Sequence, residues 1–83
     1  MRVIIDGHTY QSQTATGLVE QIKGMHWQAG EDATTEQYIA AQESTYRRLA
    51  EKPMQLPEGD TEARALAMFK VVAEFGGWIF KED

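Results

Sequence analysis

Arg2-Val3-Ile4-Ile5-Asp6-Gly7-His8-Thr9-Tyr10-Gln11-Ser12-Gln13 places two β-forming runs on either side of an Asp-Gly pair. Asp-Gly in that setting is the strongest short hairpin signal, because glycine tolerates the positive φ that a tight turn demands. The stretch predicts strands over Arg2–Ile5 and Thr9–Gln13, joined through Asp6-Gly7-His8. Successive strand residues alternate faces, so Val3 and Ile5 share one side and Arg2 and Ile4 the other. An apolar first strand of this kind suits the centre of a sheet. The second strand, with Tyr10 among polar neighbours, suits an edge.

Outward from the hairpin, the sequence reads as helices. Thr14-Ala15-Thr16 supplies an N-cap, and Leu18, Val19, Ile22 and Met25 recur at the helical period, predicting a helix to about Gln28 with Gly30 as its stop. Gly24 weakens its interior. Thr34 with Gln37 three residues on makes a capping box, and Ala33 and Tyr38 occupy the staple positions. That predicts a helix from Thr35 to about Glu51 whose stripe of Tyr38, Ile39, Tyr46, Leu49 and Ala50 is only half covered. Pro53 and Pro57 break the pattern, leaving a short edge strand or an extended loop around Met54 and Leu56. Asp60 caps a third helix over Thr61–Phe75, with Glu62 in the first turn where the helix dipole favours negative charge. Its inner stripe is Ala65, Leu66, Phe69, Val72 and Ala73, flanked by Met68 and Phe75. Gly76-Gly77 ends it, and Trp78-Ile79-Phe80 is a last β-forming run. The order predicts a single α+β domain over residues 1–83: a small antiparallel sheet with an N-terminal hairpin and about three helices packed on one face.

Composition bounds the function. The 83 residues are 42% hydrophobic and 25% charged, which is ordinary globular usage. No cysteine is present, which removes disulfides, thiolate metal sites and cysteine nucleophiles. The net charge of −5 has the wrong sign for neutralising phosphates, so no direct contact with nucleic acid is expected. The opening apolar run is too short for a signal peptide, and no run approaches the ~18 apolar residues of a membrane span. A cytoplasmic protein without membrane contact is expected.

The chemistry-bearing residues do not assemble into a catalytic motif. His8 sits in the hairpin turn and His26 near a helix end, without the spacing of helical metal ligands. Ser12 and Ser44 lack a nucleophile elbow. Glu31 with Asp32, and Glu58, Asp60 and Glu62, read as caps and dipole partners. Neither an enzyme nor a bound cofactor or metal is expected.

Two features exceed background. From Gly24 to Tyr46 there is no Lys or Arg, while Glu31, Asp32, Glu36 and Glu43 fall inside, so this window carries four of the negative charges. Arg47, Arg48 and Lys52 follow at once, the polarity that a helix macrodipole favours. The same window also suits a face that engages a basic protein partner. The second feature is aromatic: a domain of this size buries only ~60% of its chain's surface, too little to hide all eight rings. Phe69 and Phe75 are expected in the core, and Trp27, Tyr38, Tyr46 and Trp78 either in the core or at an interface. Arg47 and Arg48 beside these rings open an alternative: an oligomeric module holding a small anionic ligand between subunits. Tyr10 on an edge strand and the Trp78-Ile79-Phe80 run suggest pairing into a homodimer.

The opening Val3-Ile4-Ile5-Asp6-Gly7-His8-Thr9-Tyr10, the helix around Gly17–Ile22, and Thr35-Glu36-Gln37-Tyr38-Ile39 resemble short phage and prophage proteins that begin with an aliphatic-Asp/Asn-Gly-x-x-Tyr hairpin. Small acidic members of that group include inhibitors of host defence such as anti-CRISPR proteins. The resemblance implies a non-enzymatic accessory protein that inhibits or modulates a host partner, and it carries over no functional residue.

Overall fold

The Asp-Gly pair does what its chemistry requires. In the computed structural model, which describes residues 1–26 and 33–82, Asp6 and Gly7 both take positive φ, 51° and 84°. This is the two-residue turn whose twist matches the flanking strands. It joins β1 (Arg2–Ile5) to β2 (His8–Gln11), with Ile5 opposite His8 and Arg2 opposite Gln11. The second strand therefore begins one residue earlier than the sequence predicts and stops before Ser12, because so tight a turn makes His8 a pairing residue. β3 (Trp78–Lys81) pairs antiparallel along the other side of β1, giving the order β2-β1-β3. The first strand is central and the second an edge, as their compositions indicate.

Three helices cover one face of this sheet: α1 (Ala15–His26), α2 (Thr35–Ala50) and α3 (Thr61–Phe75). The expected extension of α1 to Gln28 and its stop at Gly30 lie outside the described residues. The Thr14 hydroxyl accepts the Gly17 amide at 3.0 Å, closing the predicted N-cap. A side chain at Gly17 would press on the Ser12 hydroxyl and force that side chain to turn away. The α2 capping box forms in full, with the Thr34 hydroxyl accepting from the Gln37 amide at 3.1 Å and the Gln37 side chain accepting from the Thr34 amide at 2.9 Å. Asp60 caps α3 through the Glu62 amide at 3.2 Å. Residues 53–57 form neither helix nor strand, and Met54 among them is buried.

Val3, Ile5 and Tyr10 from the sheet meet Leu18, Val19 and Ile22 of α1, Ile39 of α2, and Ala65, Met68 and Phe69 of α3 in one core. Phe69 is stacked on Phe80 at 5.3 Å between ring centres and tilted against Trp78 at 5.9 Å, fastening β3 to α3. Two expectations are corrected. Met68, placed on the flank of α3 by periodicity, is fully buried, because α1 and α2 enclose α3 from both sides. Phe75, expected in the core, is 49% exposed. It stands two turns beyond Met68 on the same helix face, where the packed layer runs out. Among the described residues no helix is long and apolar enough to cross a membrane.

Candidate functional site

The predicted site residues divide between two ends of the helical layer. At the N-terminal end, both Glu36 oxygens accept from Arg64 Nε at 3.2 Å, and one also accepts from the Thr61 hydroxyl at 2.9 Å. Glu43 lies 3.8 Å from Arg64 Nη2, and Arg64 Nη1 donates to the Pro57 carbonyl at 2.9 Å. Two of the four acids of the negative window are thus tied to one arginine of α3. Glu31, Asp32 and Trp27 lie outside the described residues, as does the side chain of His26.

Glu62 extends this end further. Beyond serving its own helix, its carboxylate spans to the start of α1 and accepts the Ala15 and Thr16 amides at 2.7 and 2.9 Å. Burial opposes its ionisation, but the amide bonds from Thr16 and Ala15 and the Thr16 hydroxyl outweigh it, so its carboxyl titrates below the ordinary value. Lys23, also unforeseen, is buried with its ammonium on the Ala33 carbonyl and 3.0 Å from Glu20.

Tyr38 requires a correction. Only 1% exposed, it offers a partner no surface, and its place in the α2 stripe makes it a core residue. Burial, with the nearby Tyr10 phenol, pushes its pKa upward.

The C-terminal halves of α2 and α3 are built differently. Tyr46, Leu49, Val72, Phe75 and Trp78 line an open cleft of about 200 Å³, with Gln42 and Thr45 on its polar side. Tyr46 meets Phe75 edge-to-face at 5.4 Å. Leu49, expected in the stripe facing the core, is 64% exposed. Next to the cleft the surface continues over Ala50, Lys52, Val71 and Glu74. Tyr46 and Trp78, foreseen as interface residues, are therefore brought together, and Leu49 and Phe75 join them from positions that periodicity assigns to the interior. Arg47 and Arg48 are not brought together, because consecutive helical residues diverge by ~100°. Arg47 lines a separate cleft of about 370 Å³ with Ala40, Glu43, Ser44, Pro53 and Met54. Arg48 is exposed.

The arrangement suits burial of a partner's apolar side chain, with Lys52 and Glu74 at the margin. Among the described residues no group of three His, Asp or Glu side chains gathers where it could hold a metal ion. Comparison with known proteins returns no match: no family model, no curated protein and no solved structure aligns with the chain.

Proposed function

We propose that this chain is a small non-enzymatic binding protein of the cytoplasm that modulates a partner by occupying its surface, the inhibitor role that its likeness to phage accessory proteins implies. The observation that carries this reading is the cleft, where two large apolar side chains, Leu49 and Phe75, stand 64% and 49% exposed beside Tyr46 and Trp78. Contiguous exposed apolar surface of this kind marks interaction sites, and aromatic side chains dominate binding hot spots. Lys52 and Glu74 beside it offer one charge of each sign to the flanks of an apolar segment. The acidic window, which first suggested a basic partner, is a weaker candidate because Arg64 already engages Glu36 and Glu43.

Affinity capture from the native host separates the two faces. A Leu49→Ser/Phe75→Ser variant is expected to lose a partner that the unaltered chain recovers, while Glu31→Lys/Asp32→Lys keeps it. The opposite result, loss only on charge reversal, overturns the cleft reading in favour of the acidic face.

A further inference from the structure

We infer that the free edge of β3 pairs with the same edge of a second copy of this chain, antiparallel across a two-fold axis at Ile79, joining two three-stranded sheets into one. The strand register shows which backbone groups face outward. Met1 and Ser12 bond reciprocally, amine to carbonyl at 2.8 Å and amide to carbonyl at 3.1 Å, and hydrogen-bonded pairs alternate along an antiparallel ladder. Residues 1, 3 and 5 therefore bond to β2, leaving Arg2 and Ile4 to bond to Lys81 and Ile79. Trp78 and Phe80 consequently turn their amides and carbonyls away from β1, and among the described residues none of these groups has a partner. The opposite edge is partly closed. By the same alternation β2 turns Thr9 and Gln11 outward, and the Gln21 side chain of α1 donates to the Gln11 carbonyl at 2.6 Å. Proteins commonly blunt an edge with charge, proline or a bulge, and Trp78-Ile79-Phe80 has none of these.

A second copy is the occupant because β3 is its own complement about Ile79. Antiparallel pairing centred there sets Trp78 of each copy opposite Phe80 of the other, and both residues face the edge, so every outward group at these positions is satisfied. The register is selected by its neighbours. Centred on Trp78 it would need Gly76, whose φ of 116° is not that of a strand, and centred on Phe80 it would need Glu82, which lies beyond β3 and is held by Lys70 at 3.1 Å. A centre between residues would oppose outward groups to inward ones. At Ile79 the two-fold instead brings together two isoleucines, each 54% exposed, as a close pair on the helix-free face. Lys81 falls opposite Gly77 of the other copy, so no like charges meet. Strands this short bury less than the ~800 Å² per partner of a standard interface, so the bonds set the geometry and association is weak, with a dissociation constant of roughly 0.1 mM. The pairing does not rest on the cleft, which is lined by the Trp78 side chain, whereas the edge uses its backbone.

Sedimentation equilibrium from roughly 10 μM to roughly 1 mM tests it, and the unaltered chain is expected to pass from monomer to dimer over this range. Ile79→Lys and Ile79→Glu, at an exposed position, each set like charges on the axis and are expected to weaken association at least tenfold. An equimolar mixture of the two is expected to recover it as a heterodimer. Because the chain has no cysteine, Ile79→Cys adds a single thiol, and a close antiparallel pair at ~4.5 Å between Cα atoms lies within the span of a disulfide. In a glutathione buffer this variant is expected to cross-link about tenfold more than Thr9→Cys, which is also exposed but sits on the other edge. Leu49→Ser/Phe75→Ser is expected to dimerise like the unaltered chain. A monomer at every concentration, a dimer indifferent to Ile79→Lys, a mixture that stays monomeric, equal cross-linking of the two cysteine variants, or a dimer lost only in the cleft variant overturns the inference. Thermal melting confirms that each variant is folded.

Discussion

The two ends of the helical layer solve different problems. At the N-terminal turns Glu36, Glu62 and Arg64 each reach into a neighbouring element, so α1, α2 and α3 are held by directional, charge-assisted bonds. At the C-terminal halves of α2 and α3 contact is left to rings and aliphatic chains, and part of that surface faces solvent. Directional bonds fix how helices sit against one another and leave little polar capacity for a partner. Apolar contact is less particular about geometry, which suits a surface that must accept another molecule.

The largest expected effect breaks the polar end. Arg64→Ala leaves Glu36 and Glu43 without their shared cation and should lower unfolding free energy by about 2 kcal/mol in chemical denaturation. Arg64→Lys should recover only part of it, because a lysine cannot reproduce the fork. Glu62→Gln should cost about 1 kcal/mol at neutral pH. Because the folded carboxyl titrates below its unfolded value of about 4.3, the ionised form contributes stability above that pH and loses it as the pH falls through the folded value. Melting curves of the two proteins should therefore differ at pH 7 and converge in acid.

Smaller effects sharpen the contrast from the open end. Glu51 ends α2 in the left-handed conformation at φ 59°, so Glu51→Gly should stabilise by about 0.7 kcal/mol. Leu49→Ser should change stability by less than about 0.5 kcal/mol, since a side chain mostly in water has little packing to lose. A larger loss would show that Leu49 belongs to the core rather than to a binding surface.

What was legible in the sequence was local. The Asp6-Gly7 turn, the Thr34–Gln37 capping box and the Asp60 cap are each decided within four residues, and each formed. The polar end was not legible, because Glu62 and Arg64 find partners 46 and 28 positions away and nothing near them in the chain says so. The cleft was half legible. Tyr46 and Trp78 stood out by residue type, but helical period reports only which way Leu49 and Phe75 point, not how far the layer beneath them extends. Tyr38 shows the converse error: its aromatic handle suggested an interface, while its place in the α2 stripe already put it inside.

The pairing of β1 with β3 also governs the timing of folding. The hairpin and each helix need only nearby residues, but the sheet joins residues 2–5 to residues 78–81. Closing so long a loop carries an entropic cost that only the finished contact offsets. On the ribosome, β1 therefore waits with one edge unpaired until Trp78–Lys81 has been made and has cleared the exit tunnel. Phe69 waits with it, since the two rings that pack against it arrive on the same strand. β3 thus completes both sheet and core, and a chain cut before Trp78 would leave one edge of β1 unpaired and Phe69 without its two neighbouring rings.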